Sequence, residues 1–275
     1  IFASAKKGLR GCAIKFPKIS VGATENVLIA SCFSKGETKL RNCAIEPEIN
    51  DLINFLKKLG CKIKRVGKRG INILGVEELK STVHKVIFDR IETGTYVIAA
   101  ALTKGRLKIK NIDPKIMLTE IRLLHKMGVD ILKKKNYIIV SRSKKLKSIN
   151  VVTKPYPGFP TDLQAQIMAL LCKAKKDSFI EEKIFENRFM HVPELNRMGA
   201  NINVHNSTAL IRGVNKLMGA PVMATDLRAS VSLVLAGLAA SGETTINRIY
   251  HLDRGYESLV SKLKSCGAII DRVRT

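Results

Sequence analysis

Pro47-Glu-Ile-Asn-Asp-Leu-Ile-Asn-Phe-Leu-Lys-Lys-Leu-Gly60 is the stretch on which the fold turns. Pro47 suits the first turn of a helix, where its missing N–H costs nothing. Ile49, Leu52, Ile53, Leu56 and Leu59 then fall on one helical face, and Gly60 stops the run. Downstream, about Lys62–Val66 and Ile71–Leu74 read as two short strands around a Gly-Lys-Arg-Gly hairpin. Upstream, Lys39 to Cys43 reads as a strand after a Gly36-Glu-Thr turn. Before it, Ser20 is placed to cap a helix reaching about Phe33, and Gly11 to Phe16 is a first strand ended by Pro17. The unit is therefore β-α-β-α-β-β.

The same order recurs. Leu59-Gly60 has counterparts in Met127-Gly128, Met198-Gly199 and Cys266-Gly267, so the glycines lie 68, 71 and 68 residues apart. A period that long means one supersecondary unit copied, no copy of which buries its apolar face alone. The second copy, from about Val83 to Ser141, predicts helices at Thr93–Leu102 and Met117–Met127 around a strand at Arg106–Ile112, then a hairpin. The third, from about Ile149 to Gly213, predicts helices near Asp162–Lys173 and Val192–Met198. The fourth starts near Pro221, with helices at Leu227–Ala240 and Tyr256–Cys266 and a last strand at Ala268–Val273 that has no hairpin partner. Strands joined through helices imply an α+β fold of mixed sheets with helices on one face. The expected organisation is a partial first domain over 1–80 and a second domain of three copies over 81–275, its helices inside and its sheets outside about a pseudo-threefold axis.

Composition narrows the function. Lys and Arg number 48 against 23 Asp and Glu, a net charge of +25, which favours an anionic partner. The lysines are scattered through turns and helix faces, as in Lys57-Lys58 and Lys133-Lys134-Lys135. A solvated basic surface is the first reading, phosphorylated small molecules the second. Nucleic acid comes last, because five tyrosines, nine phenylalanines and no tryptophan make a poor stacking platform. The six cysteines form no Cys-x-x-Cys pair and no cluster with histidine, which reads as reduced, buried thiols of a cytosolic protein rather than a metal site. The longest apolar stretch, Val231 to Ala240, is too short to span a membrane.

Chemistry concentrates at the starts of the first helices. Copy two reads Asp89-Arg-Ile-Glu-Thr-Gly94, copy three Phe159-Pro-Thr-Asp162 and copy four Ala224-Thr-Asp-Leu-Arg-Ala-Ser230; copy one has Lys18-Ile-Ser-Val-Gly-Ala-Thr24. Helix capping accounts for any one of these acids taken alone. It does not account for Arg228, a cation in a first helical turn, where exposed N–H groups and a positive charge suit an anion. Two loops add Phe185-Glu-Asn-Arg-Phe-Met-His191 and His251-Leu-Asp-Arg-Gly-Tyr-Glu257. Each arginine could be a loop salt bridge. Equivalent positions in related copies project to one end of a domain, however, so Arg188, Arg228 and Arg254 could converge on a ligand carrying carboxylate and phosphate.

These runs, with Glu46-Pro-Glu-Ile49, Phe159 to Gln166, Phe185 to Leu195 and Arg248 to Glu257, resemble the enolpyruvyl-transferase family along the whole chain, on the branch acting on UDP-N-acetylglucosamine. The resemblance implies an inside-out α/β barrel and transfer of the enolpyruvyl group of phosphoenolpyruvate to the sugar 3-hydroxyl with release of phosphate. This is the first committed step of peptidoglycan synthesis, in the cytoplasm and without a metal or other cofactor. It implies Asp162 as the base, with Asp226 and Arg254 completing the catalytic set. Lys18, Ile19, Ser20 and Val21 would line the UDP diphosphate and Ile184 would touch the nucleotide-sugar. Arg188, Arg228 and Arg254 would grip phosphoenolpyruvate.

The resemblance also has a gap. The family carries six units and this chain four, a difference of about 140 residues at the observed period, and the chain opens on Ile1 rather than Met. The further part would carry the loop with the acid cysteine, and none of the six cysteines here lies in a matching motif. The expectation is a chain active only with that N-terminal part as partner, and negligible turnover on its own. The alternatives are a catalytically inactive fragment retaining ligand affinity and, more weakly, a nucleic-acid binder of the RNA-cyclase type that shares the repeat.

Overall fold

The computed structural model describes Phe2, residues 4–141 and residues 145–273. The outer limits set above for the two domains, Ile1 and Thr275, fall outside these residues. The chain divides into two compact units. One comprises the described residues to Ile87 with Pro155–Pro157; the other takes Phe88–Lys154 and the described residues from Gly158 onward.

In the first unit β1 (Ala13–Lys15), α1 (Val21–Ser31), β2 (Glu37–Arg41), α2 (Pro47–Lys58), β3 (Lys62–Val66) and β4 (Gly70–Leu74) form one complete repeat. Its sheet runs β1-β2-β4-β3, with β1 parallel to β2 and the other pairs antiparallel. Ile49, Ile53 and Leu56 of α2 pack with Leu28 of α1 against Leu40, Ile63, Ile71 and Ile73 of the sheet. β2 starts and ends two residues earlier than expected. Asn42 adopts a left-handed φ of 59°, and the Cys43 N–H then leaves the β1 side to bond Arg69 O.

The second unit holds the other copies. Its elements are α3 (Arg90–Leu102), β5 (Leu107–Lys110), α4 (Leu118–Lys126), β6 (Asp130–Lys133), β7 (Tyr137–Ser141), β8 (Asn150–Val152), α5 (Gln164–Leu171), β9 (Ser178–Glu181), α6 (Val192–Arg197), β10 (Asn201–His205), β11 (Thr208–Arg212), β12 (Pro221–Met223), α7 (Leu227–Ala239), β13 (Thr245–Asn247) and α8 (Leu259–Ser265). The third copy repeats the first strand for strand, with order β8-β9-β11-β10 and the same one parallel pair. The second copy contributes β5-β7-β6 and the fourth only the parallel pair β12-β13.

Helices α3, α5 and α7 pack against one another. All of α5 and Ala229–Ala236 of α7 are buried, as is expected of helices apolar on every face. Sheets cover them, with α3 against β5 and β7 and α5 against β9 and β11. Each fully buried leucine or isoleucine in this stack contributes about 1.5–3 kcal/mol. Helices therefore lie inside and sheets outside, and no sheet closes on itself among the described residues.

The repeated apolar-glycine pair has one physical cause. Gly60, Gly128, Gly199 and Gly267 all take left-handed φ, between 84° and 106°. In each case the next N–H reaches back to the carbonyl five residues earlier: Cys61 to Leu56, Val129 to Leu124, Ala200 to Leu195 and Ala268 to Leu263, at 3.0–3.1 Å. This is a Schellman cap, which favours glycine because it has no Cβ.

Three boundaries are corrected. The helix expected from Asp162 opens as a 3-10 turn over Thr161–Leu163 and becomes α only at Gln164. The helix expected from Tyr256 begins at Leu259, because Ser258 has a left-handed φ of 50°. Residues 268–273 form no strand; with no neighbouring edge to pair, Ile269 and Val273 stay 99% and 78% exposed. Cys32, Cys43, Cys61 and Cys172 are buried as expected, whereas Cys12 and Cys266 are exposed, against the expectation. Among the described residues no helix is long and apolar enough to cross a membrane.

Candidate active site

The acids at the helix starts divide into two kinds. Asp89 Oδ1 accepts the N–H groups of Ile91 and Glu92 at 2.7 and 3.0 Å. Asp226 Oδ1 does the same for Arg228 and Ala229 at 2.7 and 2.9 Å. Both are N-caps, worth about 1 kcal/mol each. Asp162 is not, for its turn has no side-chain cap. Its carboxylate is 40% exposed and lies between two guanidinium groups instead. Arg188 Nη2 donates to Oδ1 at 2.8 Å and Arg228 Nη2 to Oδ2 at 3.2 Å.

Local structure fixes each partner. Leu163, buried at 1%, anchors the Asp162 turn against α3, and a Cβ at Gly94 would come within 2.6 Å of its Cδ1. Arg188 sits in the loop after β9, with its guanidinium carbon 5.0 Å from the Phe185 ring centre. Arg228 is the second residue of α7 and only 14% exposed. Burial would pull its pKa down, but Asp162, then the Tyr256 hydroxyl and Asp89, outweigh that and raise it. The cation in a first helical turn is thus held by acids around it, despite the helix dipole.

A buried network sets the orientation of Arg228. Tyr256 OH meets Arg228 Nη1 at 3.3 Å, Thr95 Oγ1 at 3.0 Å and Gln166 Nε2 at 3.3 Å. Gln166 Nε2 also donates to the carbonyl of Asp162 at 2.9 Å. Burial pushes the Tyr256 phenol up, against the opposing pull of Arg228. Tyr256→Phe should therefore cost about 1–2 kcal/mol in thermal denaturation, because the deleted oxygen leaves buried polar groups with one partner fewer; an unchanged unfolding curve would refute the network.

Of the other residues expected from the sequence, Arg254 ends a 3-10 turn over Ile249–Arg254 and is exposed, and among the described residues its side chain makes no hydrogen bond or ion pair. Its neighbour Gly255 packs against Leu227 at the start of α7. Ile184 is 42% exposed, with its N–H bonded to Glu182 Oε1 at 2.8 Å. In the first unit Ser20 Oγ caps α1 through Ala23 N at 3.2 Å. Lys18 is exposed there, and Ile19 and Val21 are half-buried on that unit's core. Thr95, Gln166, Glu182 and Tyr256 carry contacts of the site to which sequence reasoning gave no role. Gln166 and Tyr256 stood inside the motifs above; Glu182, in a Glu181-Glu182 pair after a strand, had no signal distinguishing it from surface charge.

The family model for EPSP synthase (3-phosphoshikimate 1-carboxyvinyltransferase) matches residues 2–263. The chain belongs to the EPSP synthase family. Within this family it is similar to the UDP-N-acetylglucosamine 1-carboxyvinyltransferase of Pelagibacter ubique (strain HTCC1062), 62% identical over 273 residues that cover 99% of this chain and 66% of that protein. The protein of the same name from Granulibacter bethesdensis is 55% identical over 265 residues, covering 96% and 63%. Among solved structures, the enolpyruvyl transferase NikO from Streptomyces tendae superposes with a TM-score of 0.89 at 28% identity, covering 96% of this chain and 66% of that one. EPSP synthase from Acinetobacter baumannii, at 19% identity and a TM-score of 0.77 over 97% and 64% of the two chains, shares the fold. The chain spans just under two thirds of the length of the curated relatives it matches. As a member of the EPSP synthase family it carries that family's fold, with helices inside and sheets outside.

Proposed function

We propose that the protein transfers the enolpyruvyl group of phosphoenolpyruvate to the 3-hydroxyl of UDP-N-acetylglucosamine and releases phosphate, a cytoplasmic step committing the sugar to peptidoglycan. The observation that carries this reading is the single carboxylate of Asp162 held by two guanidinium groups at 2.8 and 3.2 Å. The high identity to relatives named for that reaction supports the choice of acceptor.

The geometry suggests how the parts would work. Phosphoenolpyruvate carries a phosphate and a carboxylate, and both compete with Asp162 for Arg188 and Arg228. Their binding frees Asp162 to take the proton of the sugar hydroxyl. The hydroxyl oxygen bonds to the central carbon of phosphoenolpyruvate as a proton adds to its methylene carbon. Expulsion of phosphate with loss of a proton from the resulting methyl restores the double bond. Arg254 completes the grip on phosphoenolpyruvate. Asp226, with Oδ1 engaged at its cap, assists the proton transfers through Oδ2. Ile184 contacts the nucleotide-sugar, and Lys18, Ile19, Ser20 and Val21 receive its diphosphate at the start of α1. No cofactor enters this scheme. The acid for the methylene carbon comes from the part of the relatives' length that this chain does not span, which is its partner in the reaction. On this reading residues 1–80 are one repeat of a first domain and 81–275 the three repeats of a second.

The test offers the complete gene product phosphoenolpyruvate with either UDP-N-acetylglucosamine or shikimate 3-phosphate and follows phosphate release and the acceptor's mass. Transfer to the nucleotide-sugar alone is expected. Transfer to shikimate 3-phosphate, or to neither, would overturn the assignment.

A further inference from the structure

Glu182, the residue after β9, is 4% exposed and carries no role in the scheme above. Its carboxylate collects four hydrogen bonds. Oε1 accepts the Thr153 hydroxyl at 2.7 Å and the N–H groups of Ile184 and Phe185 at 2.8 and 3.0 Å; Oε2 accepts the Thr161 hydroxyl at 2.9 Å. Thr153 is itself fully buried and accepts the Lys183 N–H at 2.9 Å. Oε1 thus holds three donors and Oε2 one, so both oxygens of this buried side chain are hydrogen-bonded. A satisfied buried polar network rigidifies what it joins.

What it joins are two segments separate in sequence. Thr161 immediately precedes Asp162, on the turn before α5. Ile184 and Phe185 open the loop that carries Arg188, whose guanidinium meets Asp162 at 2.8 Å and lies over the Phe185 ring. One side chain therefore grips both segments within a few residues of the two partners of that pair. We infer that Glu182 is a positioning residue, a clasp that holds the Asp162 turn and the Arg188 loop in register for catalysis. This deepens the proposed transferase reading and rests on it for its catalytic consequence, though not for its structural one.

A glutamine at 182 could keep the three Oε1 contacts through its oxygen and donate its NH2 group to the Thr161 hydroxyl, which accepts as well as donates. The Thr161 contact is therefore tested from the threonine side, where it can be cut alone. Thr161→Val removes the hydroxyl without changing the side chain's shape, and Thr161→Ser retains it.

The test measures the complete gene product carrying each change. Thr161→Val is expected to lower kcat about tenfold, with KM for UDP-N-acetylglucosamine within about threefold of the unaltered protein and Tm within roughly 3 °C. Its crystal structure should show the Asp162–Arg188 contact lengthened beyond hydrogen-bonding distance, and Thr161→Ser should restore both rate and contact. The clasp is refuted if Thr161→Val keeps the contact at its present length, or if Thr161→Ser behaves like the valine variant. It is equally refuted if the rate falls only in proportion to folded protein. Should the unaltered protein transfer no enolpyruvyl group, the function assignment fails while the crystallographic distance still decides the clasp.

Discussion

Asp162→Asn is expected to leave the protein folded and to lower kcat by about 10²–10⁴-fold, the usual contribution of a positioned general base. The prediction rests on Asp162 differing from its counterparts. Asp89 and Asp226 spend a carboxylate oxygen on two backbone N–H groups each, whereas the Asp162 carboxylate, among the described residues, accepts from guanidinium groups alone. Asparagine is isosteric and can still accept from one arginine. The cost in stability should stay near 1 kcal/mol or below, because the carboxylate is 40% exposed and solvent screens the pairs. A second effect has the opposite sign. Phosphoenolpyruvate no longer has to displace a carboxylate from Arg188 and Arg228, so its dissociation constant should fall. Calorimetric titration with phosphoenolpyruvate and steady-state phosphate release, both on the complete gene product, measure the two effects. Unchanged kcat would remove Asp162 from the role of base. Lower kcat with weaker phosphoenolpyruvate binding would mean that the acid merely orders the arginines.

The fold was largely legible because its signals are local. A left-handed glycine after each second helix must be glycine or pay for a Cβ, and so Gly60, Gly128, Gly199 and Gly267 marked the repeat. Apolar spacing likewise marked α2, whose limits are within a residue of those expected. What was not legible depended on long-range partners or on exceptions to turn chemistry. The β propensity of residues 268–273 counted for nothing without an adjacent edge, and a serine at 258 gave no warning of a left-handed φ. The site divides in the same way. Asp162, Arg188 and Arg228 stood out because an arginine is anomalous in the first turn of α7 and because the surrounding motifs resemble a family. Capping and catalysis could not be separated for Asp89, Asp162 and Asp226, since all three are acids at helix starts. Only the donors that their carboxylates accept from distinguish them, backbone N–H groups for Asp89 and Asp226 and guanidinium groups for Asp162. Glu182 and Tyr256 gain their meaning from partners 21 to 161 residues away, which no local pattern encodes.

His191 should make the protein acid-sensitive in a window set by its own titration. It precedes α6, is 1% exposed, and places Nε2 3.2 Å from Met168 Sδ. Burial pulls its pKa down from 6.5 to about 4; Asp226 opposes this and the charge of Arg188 adds to it. The folded state therefore disfavours the proton that the unfolded chain takes up below pH 6.5. The neutral histidine's contribution is complete above that pH, is lost as pH falls from 6.5 towards 4, and changes little below. The interval corresponds to about 3 kcal/mol, a large share of the 5–15 kcal/mol typical of a folded domain. Carboxylates elsewhere also titrate in this range, so the decisive quantity is a difference in slope. Urea unfolding of the unaltered protein and of His191→Gln, at pH 7.5 and pH 4, should show the variant losing about 3 kcal/mol less over the interval, whatever its absolute stability. Equal losses would mean that His191 takes up its proton without disturbing the fold, through a path to solvent. A smaller loss in the variant would mean that proton uptake by His191, three positions from Arg188, is what weakens the fold as the pH is lowered.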